Sequence, residues 1–157
     1  MSYPIIMLDL DGVLNDHKRL NNGYCGIKKE NVDIFNYLLT EVPDAKIVIS
    51  SAWRYMICQD AMTLLGFEYL LLSHGVQCRK KIVGFTVRDE RITERKNQIL
   101  HWVESNHIDN YVVLDDLDLQ MENHVQTNYS VGLSFNEVDK AIKMLEGKMP
   151  KKEFVNF

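Results

Sequence analysis

The sequence predicts an α/β domain in which helices cover both faces of a mostly parallel sheet. Short apolar runs alternate along the chain with longer segments whose apolar residues recur at helical spacing. The runs are uninterrupted, as expected of strands that are buried on both faces, and three of them end directly in Asp or Ser. Ligands bind beyond the carboxyl ends of the strands in such sheets, so these polar ends predict one functional site.

The first predicted strand begins at Ile5 and runs into Asp9 and Asp11. Residues two apart on a strand point to the same side, so both carboxylates share one small space if the strand persists that far. Two ionised carboxylates there repel each other and lose hydration, which a bound divalent cation would offset. The alternative is that both residues only close the strand as turn or cap residues. A calcium loop is excluded, because the Gly and Glu that this motif requires are missing at the corresponding positions.

Four further apolar runs predict the other strands of a five-stranded sheet. They lie at 46–49, at 67–72, at 111–114 and within 125–133. The strand at 46–49 ends in Ser50 and Ser51, and the strand at 111–114 ends in Asp115 and Asp116. Residues 81–87 allow either an extra strand or one half of a hairpin.

Four segments with apolar residues at helical spacing predict the helices. They lie at about 29–40, 55–65, 93–106 and 134–147. Pro43 follows the first helix, and Gly66 is the expected stop of the second. Thr93 is a candidate N-cap of the third, while Ser134 and Glu137 form a capping box at the start of the last.

Length and composition fit a single globular domain over residues 1–157. Hydrophobic residues make up 46% of the chain and charged residues 25%, which are ordinary values for a soluble protein. A net charge of -4 argues against the coating of nucleic acid or of a membrane surface. The sequence shows no signal-peptide pattern, no apolar run of membrane-spanning length and no paired cysteine motif. We therefore expect a cytoplasmic protein.

The polar strand ends together predict a magnesium site suited to phosphate chemistry. Carboxylates and hydroxyl groups offer the oxygen ligands that Mg²⁺ prefers. The cation in turn offsets the repulsion between an attacking carboxylate and an anionic phosphoryl group. One carboxylate can then act as the nucleophile and form an aspartyl-phosphate, while its partner protonates the leaving oxygen and later activates water.

The order of these groups resembles the four motifs of the haloacid dehalogenase (HAD) superfamily of phosphohydrolases. The matching residues are Asp9-Leu10-Asp11-Gly12-Val13, Ser50, Lys96 and Asp115-Asp116. The form Asp-x-Asp-Gly-Val-Leu-Asn with Ile-Ser-Ser-x-Trp-Arg is most similar to small HAD domains resembling the phosphatase part of polynucleotide kinase-phosphatases and RNA-repair proteins. The resemblance implies a three-layer, Rossmann-like fold. Neither of the two usual insertion points holds enough residues for the cap domain that most members carry.

The resemblance also implies catalytic roles. Asp9 is the expected nucleophile and Asp11 the general acid and base. Ser50 is expected to bind the phosphoryl oxygens, and Lys96 to neutralise charge on Asp9 and the phosphoryl group. Ser51 is an alternative to Ser50, because the strand end is uncertain by one residue.

For the metal, the resemblance implies Asp9, the main-chain carbonyl of Asp11 and Asp115 as Mg²⁺ ligands. Asp116 is expected to support the metal directly or through its other ligands. The sequence leaves the roles of two cationic positions undecided. Arg95 is an alternative to Lys96, although the spacing before the acidic pair favours Lys96. Arg54 is either a contact of the substrate phosphate or only an Arg near a helix start.

We therefore expect a Mg²⁺-dependent phosphatase that hydrolyses a phosphate monoester. An uncapped site admits a large substrate such as a polynucleotide end. The basic residues between Arg79 and Lys96 either follow a nucleic-acid backbone or form a solvated loop. The alternatives are a phosphatase for small molecules or phosphoproteins, a phosphotransferase and a non-catalytic HAD-like binding domain. The sequence does not predict an oligomeric state.

Overall fold

Five parallel strands form the central sheet of the computed structural model, which describes residues 3–16, 26–50, 63–86 and 92–147. The strands are β1 (Ile5–Leu8), β2 (Lys46–Ile49), β3 (Ile82–Phe85), β4 (Tyr111–Asp115) and β5 (His124–Gln126). Their order across the sheet is β3-β2-β1-β4-β5, so β1 is the central strand. Every strand pair is parallel. The structure thus confirms the predicted α/β fold class.

Helices cover both faces of this sheet in the described ranges. They are α1 (Lys29–Glu41), α2 (Leu64–Ser73), α3 (Arg95–Ser105) and α4 (Phe135–Leu145). Ile6 and Leu8 of β1 pack into the core that also holds apolar side chains of α1, α2 and α4. Ile5 and Met7 pack on the opposite face with Ile99 of α3. Because successive strand residues alternate between two buried faces, the central strand β1 is apolar at every position, as the three-layer prediction requires.

The predicted helices at 29–40, 93–106 and 134–147 are all formed, with small shifts of their ends. In α1 the inward face carries Phe35 and Leu38, which are fully buried. The capping box of Ser134 and Glu137 is present at the start of α4. None of the helices in the described ranges has both the length and the apolar character needed to span a bilayer.

The strand predicted at 67–72 is wrong, because these residues lie in α2. Phe67 and Leu71, one helical turn apart, are fully buried in the core. The helix begins after Thr63, whose hydroxyl accepts a hydrogen bond from the main-chain N–H of Gly66 at 2.9 Å. Gly66 therefore lies in the first turn of α2 and does not stop the earlier helix. Most of the helix predicted at 55–65 falls outside the described residues.

The third strand along the chain is instead β3, within the segment 81–87 that allowed an extra strand. It pairs with β2 at the edge of the sheet and is only partly buried. Gly84 faces α3, where a side chain in its place would lie 3.5 Å from the indole nitrogen of Trp102. The Gly and the partial exposure weaken the apolar pattern, which explains why the sequence did not identify this strand uniquely.

Candidate active site

Four polar residues stand in register at the carboxyl edge of the sheet. The strand pairing places Asp9 between Ser50 and Asp115, and it places Thr86 on the far side of Ser50. Main-chain hydrogen bonds of 2.9 to 3.0 Å extend the strand pairing to Asp9, Ser50 and Thr86. The strand residue directly before each of them, such as Leu8 before Asp9, packs on the face of the sheet that α1 covers. Successive strand residues point to opposite faces, so the side chains of the four polar residues point toward the face that α3 covers.

Three carboxylates converge at this edge. Asp9, Asp115 and Asp116 each offer an oxygen atom, and these oxygens lie within 4.8 Å of one another. Burial raises the pKa of Asp9 to about 8, and the Asp115 carboxylate and a hydrogen bond with Asp116 act in the same direction. Burial also raises the pKa of Asp115 above its ordinary value. Ionising Asp9 and Asp115 side by side is thus costly unless positive charge is added.

Arg95 supplies one positive charge from the first residue of α3. Its Nη1 donates to Oδ2 of Asp115 at 2.7 Å and lies 3.6 Å from Oδ1 of Asp9. The guanidinium lowers the pKa of both acids, although burial outweighs it. One guanidinium balances only one of three ionised carboxylates. The remaining charge suits a divalent cation.

The donor set fits Mg²⁺. An octahedral Mg²⁺ holds oxygen ligands at about 2.0–2.1 Å, so opposite ligands are separated by roughly 4 Å. The spread of up to 4.8 Å among the oxygens of Asp9, Asp115 and Asp116 is close to that separation. The carboxylate of Asp11 does not belong to this cluster. The resemblance assigns the main-chain carbonyl of Asp11, and not its side chain, to the metal.

Gly12 brings the loop after β1 against the acidic cluster. Its φ of +82° lies in the left-handed region, and a Cβ at this position would lie 2.6 Å from Cγ of Asp116. The carbonyl of Gly12 accepts a hydrogen bond of 2.6 Å from the hydroxyl of Thr127. No side chain fits between the loop and Asp116, so the third position after Asp9 must be Gly.

Asp11 is held by a residue that the sequence analysis did not select. Oδ1 of Asn15 accepts a hydrogen bond from the main-chain N–H of Gly12 at 2.9 Å. Nδ2 of Asn15 donates to Oδ1 of Asp11 at 3.0 Å. Asn15 is fully buried, whereas Asp11 is partly exposed. The one available signal was the Asn of the Asp-x-Asp-Gly-Val-Leu-Asn run, to which the sequence alone assigns no contact.

Ser50 and Thr86 present neighbouring hydroxyl groups. Both side chains are fully buried, and neither hydroxyl has a hydrogen-bond partner in the described part of the chain. Leaving a buried hydroxyl unpaired costs about 1–3 kcal/mol, so such groups mark places where a ligand or water belongs. The placement of Ser50 beside Asp9 agrees with its predicted position. Thr86 was missed because β3 was not assigned.

The structure does not bring Lys96 to the carboxylates. Its Nζ donates to the main-chain carbonyl of Gln120 at 3.2 Å. Consecutive residues on a helix point about 100° apart, so the two side chains make different contacts and Arg95 is the one that meets the carboxylates. Arg95, the alternative, makes the contact that was expected of Lys96. The catalytic role of either residue stays a prediction.

Arg95 and Lys96 share a groove of about 480 Å³ beside the acidic cluster. Its other lining residues come from the loop between β4 and β5 and from the residue before α3, and they are Glu94, Leu117, Asp118, Leu119 and Gln120. The main-chain N–H of Leu117 donates to Oδ1 of Asp115 at 3.0 Å, which ties this loop to the cluster. The groove therefore opens next to the carboxylates.

The remaining predictions concern residues outside the described ranges and the basic segment before α3. Ser51 and Arg54 fall outside the described residues, as do Arg88 and Arg91. Residues 79–81 precede the start of β3 and so lie at the amino edge of the sheet, a strand length away from Asp9. This part of the basic segment is therefore not next to the acidic cluster.

His124, which the sequence analysis did not select, contacts the main chain at the end of β4. His124 is buried at the start of β5, and its Nε2 lies 3.0 Å from the main-chain oxygen of Asp115. The contact fixes the strand end that carries Asp115. This contact is to the main chain of Asp115 and not to its carboxylate.

A family model described as "HAD domain in Swiss Army Knife RNA repair proteins" matches residues 5–138. This range runs from β1 into α4 and contains the acidic cluster, Ser50 and Arg95. No curated protein and no solved structure matches the chain. The family match supports a HAD domain without a cap and, at the level of the superfamily, a phosphatase of the HAD type. The chain therefore belongs to the family of HAD domains in Swiss Army Knife RNA repair proteins.

Proposed function

We propose that this domain is a Mg²⁺-dependent phosphatase that hydrolyses a phosphate monoester through an aspartyl-phosphate on Asp9. The observation that carries the proposal is the cluster of Asp9, Asp115 and Asp116, in which Asp9 and Asp115 are buried and Arg95 is the guanidinium that the described residues place beside them. Such a cluster needs a divalent cation, and a carboxylate beside that cation can approach an anionic phosphoryl group. Family membership supports HAD-type phosphatase chemistry, while the metal and the intermediate are the proposal.

The reaction has two steps in this scheme. In the first, an oxygen of Asp9 forms a bond to phosphorus, the ester P–O bond breaks, and Asp11 gives its proton to the leaving alcohol. In the second, Asp11 takes a proton from water, which attacks phosphorus and releases phosphate and Asp9. Mg²⁺ held by Asp9, Asp115 and Asp116 would neutralise charge on the carboxylates and on the phosphoryl oxygens. Ser50 donates its hydroxyl, which has no partner among the described residues, to a phosphoryl oxygen, and Arg95 stabilises the charge that develops.

The proposed substrate is a phosphate at a polynucleotide end. The family is named for RNA repair proteins, and the segments between the site residues are too short to hold a cap over the site. Among the described residues, Lys96 offers an ammonium group in the groove next to Arg95, where it can meet the next phosphate of a chain. Arg79 lies at the amino edge of the sheet, away from this groove, and is therefore a matched control for Lys96.

The activity is tested with purified protein and a generic aryl phosphate. We expect hydrolysis in Mg²⁺, its loss in excess chelator and its recovery when Mg²⁺ is added back. Asp9→Asn is the control, because it keeps the shape of the side chain and removes the nucleophile. Turnover that survives the chelator would contradict the metal dependence. The absence of hydrolysis with any phosphate ester would leave a non-catalytic HAD-like binding domain.

The substrate is tested by comparing an oligonucleotide that carries a terminal phosphate with the corresponding mononucleotide. We expect a higher kcat/KM for the oligonucleotide, an advantage that added salt reduces. Lys96→Gln should lower that advantage severalfold, whereas Arg79→Gln, which also removes one positive charge, should leave it unchanged. Equal rates on both substrates at every salt concentration would instead indicate a phosphatase for small molecules or phosphoproteins.

A further inference from the structure

We propose that Asn15 is a positioning residue that sets the orientation of Asp11, so that the proton of Asp11 is presented to the leaving group. The inference rests on the proposed function, because Asp11 must act as the general acid for its orientation to matter. It adds a residue outside the four motifs that define the expected catalytic set. Asn15 contacts neither substrate nor metal in this scheme and acts only through Asp11.

The hydrogen bonds leave one assignment for the amide of Asn15. The main-chain N–H of Gly12 can only donate, so the side-chain atom of Asn15 that it meets at 2.9 Å must be the carbonyl oxygen. The other atom is then the NH₂ group, which donates to Oδ1 of Asp11 at 3.0 Å. Oδ1 therefore acts as an acceptor. When Asp11 is in its acid form, the proton is carried by Oδ2.

The frame around Asn15 is rigid enough to hold this orientation. The main-chain N–H of Leu133 donates to the carbonyl of Val13 at 2.8 Å, and Thr127 donates to the carbonyl of Gly12. A Cβ at Gly132 would lie 2.8 Å from the carbonyl oxygen of Asn15, so the chain packs closely on that side too. A fully buried amide in such a frame does not rotate freely.

The orientation of Asp11 determines whether its proton is directed at the leaving group. In the first step the bond from Asp9 to phosphorus forms, the bond from phosphorus to the leaving oxygen breaks, and the proton on Oδ2 of Asp11 moves to that oxygen. A carboxyl that can rotate spends part of its time with the proton directed elsewhere. An alkyl phosphate, which has a poor leaving group, needs this proton. An aryl phosphate does not, because a phenolate with an electron-withdrawing substituent leaves unprotonated.

The variant that separates the hydrogen bond with Gly12 from the hydrogen bond with Asp11 is Asn15→Asp. It keeps an oxygen to accept the N–H of Gly12 and replaces the NH₂ group that holds Asp11. The measurement is the release of the alcohol in the first turnover, which reports formation of the phosphoenzyme alone. We expect the alkyl phosphate to react at least about tenfold more slowly than with wild type, and the aryl phosphate to stay within about threefold. Asn15→Ala should show the same difference between the substrates.

Thr127→Val is the matched control, since it removes a hydrogen bond to the same turn without touching Asp11. It should change the alkyl and aryl rates in equal proportion. A second control uses Asp11→Asn as the background. There the acid is already absent, so Asn15→Asp should add no further loss that is specific to the alkyl phosphate. This comparison does not depend on how stable the single variants are.

Two results would overturn the inference. One is an equal loss on alkyl and aryl phosphates in the Asn15 variants, which indicates that Asn15 only stabilises the turn. The other is an alkyl-specific loss that persists in the Asp11→Asn background. If wild-type protein hydrolyses neither ester in Mg²⁺, the proposed function has failed, and that outcome is distinct from both.

Discussion

Nη1 of Arg95 donates to Oδ2 of Asp115 at 2.7 Å, which joins the start of α3 to the end of β4. The same nitrogen lies 3.6 Å from Asp9. Removing one partner from a buried ion pair leaves the other charge uncompensated, at a cost of about 3–5 kcal/mol. We therefore expect the Arg95 guanidinium to affect both the metal site and the reaction.

Arg95→Gln should lower kcat on an aryl phosphate by about a hundredfold or more, because the cluster loses the cation that faces the reacting phosphoryl group. Lys96→Gln should change that kcat by less than about threefold, since its ammonium contacts Gln120 and not the carboxylates. Steady-state kinetics at saturating Mg²⁺ checks both values. The reverse ranking would show that Lys96 is the catalytic cation, as the motif spacing predicted.

Gly12→Ala should destabilise the protein by about 3 kcal/mol or more, because a Cβ would collide with the carboxylate of Asp116 in addition to the strain of a positive φ. Gly147→Ala is the matched control. It has a φ of +72° but nothing within 4 Å of the new Cβ, so only the backbone cost of about 1–2 kcal/mol applies. Urea denaturation measures the free energy of unfolding of both variants. Equal losses would mean that the loop does not press on Asp116.

The stability of metal-free protein should fall as the pH rises. The pKa of Asp9 is about 8 in the folded protein against an ordinary value of 3.8, so the folded state binds more protons between these values. The stabilisation from protonated Asp9 is complete below about pH 4 and is lost as the pH rises through about 8. Asp9→Asn has no such group to ionise.

Urea denaturation in chelator at several pH values tests this linkage. The free energy of unfolding of Asp9→Asn should exceed that of wild type by an amount that grows with pH, reaching a few kcal/mol near pH 8. Saturating Mg²⁺ should reduce the difference, because the cation stabilises the ionised carboxylate. A difference that does not vary with pH would mean that Asp9 is already ionised without metal.

Asp115→Ala should raise the Mg²⁺ concentration needed for half-maximal activity by tenfold or more, because it removes a ligand oxygen and leaves the nucleophile in place. Asp118→Ala is the control, since Asp118 is exposed and lies outside the cluster. Its metal titration should match that of wild type. An unchanged titration for Asp115→Ala would show that Asp115 is not a ligand, and a weakened titration for Asp118→Ala would assign that role to Asp118.

The sequence predicts which polar residues meet at the carboxyl edge of the sheet wherever a buried strand ends in one. A buried strand and a two-residue side-chain period are enough to bring Asp9, Ser50 and Asp115 together once the sheet is parallel. Asn15 and His124 were not found in this way. Their contacts depend on the path of a loop and on the neighbour of an edge strand, and no local pattern encodes either.

The wrong strand at 67–72 and the choice of Lys96 over Arg95 both have local causes. Residues 67–72 are apolar at nearly every position, and such a short run does not distinguish a strand from a helix that uses only Phe67 and Leu71 as its buried face. The choice between Arg95 and Lys96 depends on the rotation of a helix by one residue, and helix starts are uncertain by that much.

A labelling experiment locates the residue that carries the phosphoryl group, which we propose to be Asp9. Asp11→Asn protein is incubated with an aryl phosphate labelled in its phosphoryl group and with Mg²⁺, quenched in acid and digested. Without the base that activates water, the intermediate should accumulate with the label on the peptide that contains Asp9, and Asp9→Asn/Asp11→Asn protein should stay unlabelled. Label on any other residue, or label that persists in the double variant, would contradict the account.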